Sequence, residues 1–167
     1  MAEIPSTPAD GNVKVVVATG VADPSAPTVS ELTAATDISC YLTPDGFAFT
    51  QDQATITDDR LCSRQTYNEG GRKSYTLTLT GIDNTNSDYE TEYNEFVETL
   101  AEGSTRVVYA RYGLPYEEPF AAGQTVRSVP IRVGAKTEMS PEANSVLRAQ
   151  INTFVNASSE LVTITGV

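Results

Sequence analysis

Hydrophobic and polar residues alternate along most of the chain with a period of two, the pattern of β-strands that bury one face. The clearest case is the segment 73–82, KSYTLTLTGI, in which Tyr75, Leu77 and Leu79 alternate with threonines. The segment 104–113, STRVVYARYG, carries large side chains at both alternating sets of positions, which predicts that protein covers both of its faces. The pattern therefore predicts a mainly β protein.

Further strands are predicted on both sides of these segments. NVKVVVAT alternates from Val13 onwards, and TDISCYLT and FAFTQDQATIT are predicted as two short strands joined by a turn at residues 44–46, PDG. In QTVRSVPIRVG the apolar phase slips by one residue between Ser128 and Val129, which predicts a β-bulge, and Pro130 beside it is typical of an edge strand. SVLRAQINTFV and ELVTITGV complete the predicted strands.

One stretch, residues 87–103 (SDYETEYNEFVETLAEG), has a helical period instead. Its apolar stripe consists of Tyr89, Tyr93, Phe96, Val97 and Leu100. Ser87 and Glu90 match a capping box at the start, and Gly103 is a typical stop at the end. The other side carries six acidic residues with no lysine or arginine among them. We therefore predict one helix that packs its stripe across the sheet and shows its acids to solvent.

The segment 58–72, DDRLCSRQTYNEGGR, has neither period. Loops of this length inside a compact domain are usually functional or disordered, and its mixture of charged and large apolar side chains disfavours disorder. We predict a long inter-strand loop that orders against a neighbouring subunit, with a mobile hairpin tip as the alternative. The predicted inter-subunit residues are Asp58, Asp59, Arg60, Leu61, Arg64, Tyr67 and Arg72.

Composition divides the chain into an arm and one domain. Residues 1–12 are rich in Pro, Ser, Thr and Ala and predict an extended N-terminal arm, and the length of the remainder predicts that residues 13–167 form a single domain. The arm lacks the features of a secretion leader, and no apolar run is long enough to cross a membrane, so we expect a cytosolic chain without membrane contact.

The charge and the missing residue types exclude most chemistry. The net charge of −11 disfavours a protein that grips phosphates from a basic surface. The absence of histidine removes Ser-His-Asp and Cys-His catalysis and the common zinc sites, and no phosphate-binding glycine loop is present. Cys40 and Cys62 are expected to be ordinary thiols. We predict no catalytic, cofactor-binding or metal site, and we expect that the protein is not an enzyme.

The order of these segments resembles the tail tube (major tail) proteins of bacteriophages with long, non-contractile tails. The resemblance rests on a polar arm, a strand pair, a long loop, YTLTLTGI, one acidic helix, STRVVYARYG, PIRVGAKTE and a terminal VTITGV, and it covers nearly the whole chain. It implies a tail tube β-sandwich domain over residues 13–167, with barrel-forming β-sheets flanked by one helix, and a virion protein that assembles in the host cytoplasm.

The resemblance also implies how copies of the chain assemble. Six subunits would form a ring, rings would stack into a hollow tube, and double-stranded DNA would pass through the lumen without specific binding. The arm and the segment 58–72 would make contacts between subunits. Tape-measure, tail terminator and distal tail proteins are the implied further partners. Negative lumen walls would keep phosphates from adhering.

Two alternatives remain open from the residues alone. The first is a monomeric β-sandwich that binds carbohydrate or another virion protein, with Tyr67, Tyr112 or Tyr116 as stacking platforms. The second is a hydrolase with a pair of carboxylates, which would need a concave acidic pocket.

Overall fold

Antiparallel strands make up most of the computed structural model, which describes residues 4–166. The strands are β1 (Val13–Ala18), β2 (Thr36–Asp37), β3 (Leu42–Asp58), β4 (Tyr67–Ile82), β5 (Thr105–Tyr112), β6 (Thr125–Glu138), β7 (Arg148–Val155) and β8 (Glu160–Thr163). Two helices of five residues each are α1 (Val29–Thr33) and α2 (Glu95–Thr99). The strands are hydrogen-bonded in the order β2-β1-β5-β6-β7-β4-β3, with β8 paired to β6. The predicted mainly β class is confirmed.

Two hydrophobic cores lie on opposite faces of the central strands. The first core contains Val15, Val17, Ile38, Leu77, Leu79, Phe96, Leu100, Val108, Ala110, Val129, Ile131, Val133 and Ile151. The second core contains Val16, Ala18, Leu32, Val107, Tyr109, Phe120, Val126, Val162 and Ile164. Because β1, β5 and β6 supply residues to both, these strands are covered on both faces. The prediction that both faces of β5 meet protein is confirmed, since Val107 through Arg111 are all buried.

Strand β6 has no bulge at the predicted position. Its pairing with β5 runs without a shift from Arg127 to Arg132. The apolar phase slips because Val126 faces the second core and Val129 the first, so both predictions for this strand, the bulge and the edge position, are wrong. Pro130 fits inside the sheet because β6 changes partner there, from β8 to β7. The Pro130 carbonyl accepts a hydrogen bond from the Asn156 N–H on that side, where no strand needs a donor from the proline.

The predicted turn at residues 44–46 is also wrong, because these residues lie within β3. They form an irregularity in its pairing with β4, between the Leu42–Gly81 and Phe47–Leu79 pairs. Gly46 is required there, since a Cβ atom at this position would lie 2.1 Å from the Thr80 carbonyl oxygen. The TDISCYLT segment contributes the short β2, which pairs with β1 instead of β3, and its last two residues begin β3.

The long acidic helix predicted over residues 87–103 is not present. Helical structure in this segment is limited to α2. Side chains in the segment 83–90 bind nearby backbone groups and hold it in turns. Asp83 Oδ1 accepts from the Thr85 N–H at 2.9 Å, and Glu90 accepts from the Asn86 N–H at 2.9 Å instead of closing a capping box with Ser87. Asn86, directly before the predicted helix, has a φ of 63°, a left-handed conformation that is typical of turns.

The predicted apolar stripe is therefore split. Phe96 and Leu100 are 0% and 3% exposed and belong to the first core, and Val97 packs against that core at its margin. Tyr89 and Tyr93 are 63% and 54% exposed and contact each other edge to face, so their predicted burial is wrong.

One ion pair ties the end of β4 to β6. Lys136 Nζ lies 2.8 Å from a carboxylate oxygen of Asp83 and 3.4 Å from one of Glu138. Partial burial alone would raise the pKa of Asp83, but hydrogen bonds from Lys136 and Thr85 outweigh it and lower this pKa below its ordinary value. The pKa of Lys136 is raised, mainly by its hydrogen bond to Asp83.

Replacement of Phe96 by alanine is expected to lower the free energy of unfolding by about 3 to 5 kcal/mol, because a fully buried aromatic ring leaves a cavity. Tyr93→Ala is the matched control and should change it by less than about 0.5 kcal/mol, since Tyr93 is exposed. Urea unfolding followed by circular dichroism measures both. Equal effects of the two substitutions would contradict the assigned position of α2 against the core.

The Asp83–Lys136 pair should make stability depend on pH. The folded pKa of Asp83 lies below its unfolded value, so its contribution is present above the unfolded pKa of about 3.9 and is lost as pH falls through the folded pKa. Asp83→Asn should therefore lower stability on the order of 1 kcal/mol at pH 7, with a difference from wild type that shrinks below about pH 4. Glu138→Gln is the control, because that carboxylate is exposed. A difference for Asp83→Asn that stays constant from pH 7 to pH 3 would contradict this assignment.

Candidate assembly surface

The β3–β4 hairpin extends away from both cores. Its strands pair from Phe47–Leu79 near the core to Asp58–Tyr67 at the far end. All side chains from Thr50 to Thr57 are exposed, and in β4 only Gly71 is half-buried between Tyr67 and Ser74. The hairpin is thus a two-stranded projection in which the inner edges of β3 and β4 pair with each other and the side chains contact little else.

The predicted loop at residues 58–72 is shorter in the structure, where it spans residues 59–66 between β3 and β4. The pairing register shifts between Gln53 and Thr55, opposite Gly71 and Arg72. A Cβ atom at Gly71 would lie 3.0 Å from the Ala54 carbonyl oxygen, so the strands approach closely there. The shift and the adjacent glycines Gly70 and Gly71 interrupt the alternation, and for this reason the sequence pattern does not reveal the second half of the hairpin.

The predicted inter-subunit residues all lie in this far part of the hairpin. Leu61 is fully exposed, and Ile56 and Tyr67 are 55% and 51% exposed. Asp58 and Arg60 form an ion pair at 2.7 Å, and Arg64 and Arg72 are exposed. Exposed large apolar side chains beside free charged groups are typical of a contact surface. That a neighbouring subunit covers them remains a prediction.

The outer edge of β3 is unpaired. Within the described residues 4–166, β3 is the last strand of the sheet and pairs only with β4. Every second backbone N–H and C=O group from Phe47 to Asp58 therefore points away from the sheet without a strand partner. Such a long, open edge is a ready template for another strand. The opposite end of the sheet is the two-residue β2.

A buried arginine holds the connection between β5 and β6. The Arg111 guanidinium donates to the carbonyl oxygens of Pro115 and Glu118 at 2.8 Å each and to that of Pro119 at 3.2 Å. It also lies over the Phe120 ring, 5.1 Å from its centre. Burial lowers the pKa of Arg111, but an arginine remains charged in a protein. Carbonyl dipoles thus take the place of a carboxylate, and the segment 113–124 is fixed over β1 and β5.

Sequence reasoning missed this role of Arg111. The signal was present, because Arg111 occupies the same alternating set as Val107 and Tyr109, which both lie in the second core. An arginine on an otherwise apolar face must find hydrogen-bond acceptors when it is buried.

An apolar groove lies between the arm and strand β3. The groove between the arm and β3 has a volume of about 500 Å³, and Val13, Leu42, Phe47 and Tyr112 form much of its apolar lining. Among the described residues, no group of three Cys, Asp or Glu side chains is arranged to hold a metal ion. No helix in residues 4–166 is both long and apolar enough to cross a membrane.

The tyrosines proposed as stacking platforms do not form one surface. Tyr67 lies on the hairpin, whereas Tyr112 ends β5 and Tyr116 lies in the segment that follows. Tyr116 is covered in part by Lys14, whose Nζ lies 5.1 Å from the ring centre.

Comparison with known proteins assigns this arrangement to a family. The fold is similar to a chain in the cryo-EM structure of the anti-feeding prophage (AFP) baseplate, 6-fold symmetrised, with 8% sequence identity, a TM-score of 0.57, and coverage of 95% of this chain and 97% of that one. A comparison with curated proteins finds no match. The family model described as "Phage tail tube protein" matches residues 1–166. The chain therefore belongs to the phage tail tube protein family, whose members are structural components of the virion tail.

Proposed function

We propose that this chain assembles into hexameric rings, which stack into the hollow tube of a long, non-contractile phage tail, and that genomic DNA passes through this tube. The observation that carries the proposal is the open outer edge of β3, which continues into the projecting hairpin. A protein that stays monomeric normally protects such an edge with a short strand, a bulge or a covering loop.

Ring closure would satisfy this edge. The sheet ends in β3 on one side and in β2 on the other, so a neighbouring copy can add strands at either end. Six copies joined in this way would form a closed barrel, which has no remaining edges. The number six is supported by the AFP baseplate structure, which is 6-fold symmetrised. The long, non-contractile kind of tail is carried over from the sequence resemblance.

The hairpin and the arm are suited to contacts between rings. The hairpin carries the exposed Leu61, Ile56 and Tyr67, which would become buried on a second copy. The arm is anchored at its root, because the Gly11 carbonyl accepts from the Tyr116 N–H at 2.8 Å and the Asn12 carbonyl from the Gly113 N–H at 2.9 Å. Residues 4–8 are exposed beyond this anchor and are free to lie on a neighbour.

The remaining roles follow from the position of a tube in a tail. The subunit would be made in the host cytoplasm, and a tape-measure protein and the tail terminator and distal tail proteins would contact the tube inside and at its ends. The protein's role would be structural, without catalysis or a cofactor.

The purified full-length chain is expected to form rings or tubes of uniform width, with six-fold symmetry in end-on views. Light scattering follows growth with concentration, and negative-stain microscopy gives the width and symmetry. A compact monomer at high concentration would contradict the proposal and would favour the monomeric binding module instead.

Shortening the hairpin should separate folding from assembly. Replacement of residues 53–73 by an Asn-Gly turn joins Asp52 to Ser74, which already pair, and removes only parts that lie outside the two cores. We expect a thermal midpoint within a few degrees of wild type and no tubes. The matched control is Leu61→Ser, which keeps the hairpin and should weaken assembly without abolishing it. Tubes of normal length from the shortened chain would refute the role of the hairpin.

A further inference from the structure

Two exposed tyrosines lie on the loop that directly follows β4. Tyr89 and Tyr93 are 63% and 54% exposed, and their rings pack edge to face with centres 6.4 Å apart. We name residues 83–94 the tyrosine loop. Large aromatic side chains that pack mainly on each other and on solvent are typical of a contact surface, because tyrosine often carries much of the binding energy in protein interfaces.

Side-chain hydrogen bonds fix the shape of the tyrosine loop. The Oδ1 atom of Asn94, which is 4% exposed, accepts from the Asn84 N–H at 3.2 Å. The side-chain amide of Asn84 donates to the Tyr93 carbonyl oxygen, and the carboxylates of Asp83 and Glu90 accept from further backbone N–H groups of the loop. A loop that is already ordered loses little conformational entropy when it binds. The fold therefore holds the two tyrosines outward in a geometry suited to docking.

The charges beside these tyrosines determine which partner fits. Asp88 and Glu92, adjacent to them in sequence, are exposed, and neither has an ion-pair partner among the described residues. The two basic residues at this end of the sheet, Lys136 and Arg148, are each already paired with a carboxylate. A partner that covers the tyrosines must bring positive charge, because a carboxylate buried without a partner is costly.

The far part of the β3–β4 hairpin carries the complementary groups. We name residues 60–73 the hairpin tip; it contains four of the 11 basic residues of the chain and a single acidic one. Asp58 and Asp59 precede it, and Arg60 is paired with Asp58. The basic residues of the tip without an ion pair among the described residues are Arg64, Arg72 and Lys73. Leu61, fully exposed, adds an apolar group that can pack on a tyrosine ring.

Strand β4 keeps the two surfaces apart within one subunit. It begins in the hairpin tip at Tyr67 and ends at Ile82, directly before the tyrosine loop. Its 16 residues span about 50 Å, and even Lys73, the last residue of the tip, lies about 30 Å before the end of the strand. The hairpin tip can therefore meet only the tyrosine loop of another copy. A contact between two different surfaces leaves each copy with a free tip or a free loop, so it can repeat without limit.

We propose that the tyrosine loop of one copy receives the hairpin tip of a second copy, and that this contact joins each ring to the next. The inference rests on the proposed function, because successive rings exist only if the chain forms a tube. Copies within a ring join through backbone groups at the edge of β3, whereas this contact depends on side chains. Leu61 packs on the tyrosine rings, and the arginines pair with carboxylates and stack on the rings. The two contacts can thus be disturbed separately.

Exchange of charges between the two surfaces tests this assignment in the full-length chain. The tip reversal is Arg64→Glu with Arg72→Glu, and the loop reversal is Asp88→Lys with Glu92→Lys; all four residues are exposed, and none belongs to either core. A third variant combines both reversals. The matched control adds Glu117→Lys and Glu160→Lys, two exposed carboxylates outside the tyrosine loop, to the tip reversal. Circular dichroism checks that each variant is folded, and negative-stain microscopy distinguishes single rings from tubes.

Each reversal alone should leave single rings and abolish tubes, because like charges then face each other. The combined variant should form tubes again, whereas the control should not. Normal tubes from the loop reversal alone, or a combined variant that forms rings but no tubes, would overturn the assignment. Loss of rings from a folded reversal variant would place the contact within the ring and also overturn it.

Failure of the proposed function gives a different result, because the wild-type chain itself then forms no tubes. If the combined variant does not fold, a density map of wild-type tubes decides. In that map Tyr93 must contact the hairpin tip of a copy in the adjacent ring, and a Tyr93 side chain open to solvent would overturn the proposal.

Discussion

Every strand has to find partners for the backbone N–H and C=O groups along both of its edges, and this requirement organises the whole structure. Between Arg127 and Arg132, strand β6 has partners along both edges: it pairs with β5 on one side and with β8 and then β7 on the other. Pro130 lies where the partner changes, so the donor that proline lacks is not missed. Strand β3 does not meet the requirement, because its outer edge has no strand partner within residues 4–166. The backbone of the central strands is therefore hydrogen-bonded, whereas the outer edge of β3 still needs a strand partner.

The two cores explain how a sheet of this kind is stable while part of it remains bare. Strands β1, β5 and β6 are buried on both faces, and the first core also receives Leu77 and Leu79 from β4. Stability is thus concentrated in the central strands, since burial of apolar surface is the main favourable contribution to folding. The hairpin adds little to it. Its exposed apolar side chains are available for contacts outside the monomer.

Much of the fold was predictable where the alternation of apolar and polar residues alone determined the secondary structure. The alternation in 73–82 gave a strand with Leu77 and Leu79 inside, and the two-sided pattern of 104–113 gave a strand covered on both faces. Prediction failed where local and long-range effects competed. The period of 87–103 is helical, but side chains of Asp83 and Glu90 bind the backbone and hold turns. In β6, residues are buried on both faces, and this shifts the phase of the apolar pattern in the same way as a bulge would.

Some other features have a sequence pattern that our prediction did not use, and others have no recognisable pattern in the sequence. Thr28 and Glu31 form a true capping box at the start of α1, and the T-x-x-E pattern is visible in the sequence. The residues predicted to contact a neighbouring subunit lie together on the hairpin, and their contact with a neighbour stays a prediction. The form of this segment as a paired projection was hidden by the register shift between Gly70 and Lys73.

Amide hydrogen exchange along β3 is the most direct measurement of the central claim, that the open edge is completed by another copy of the chain. In dispersed subunits, every second N–H between Phe47 and Asp58 should exchange rapidly, because it faces solvent, while the alternate N–H groups that pair with β4 exchange slowly. In assembled protein the rapid set should become protected, and the exchange of β5 and β6 should stay unchanged. Rapid exchange of the same N–H groups in both states would show that the edge remains open and would contradict assembly through β3.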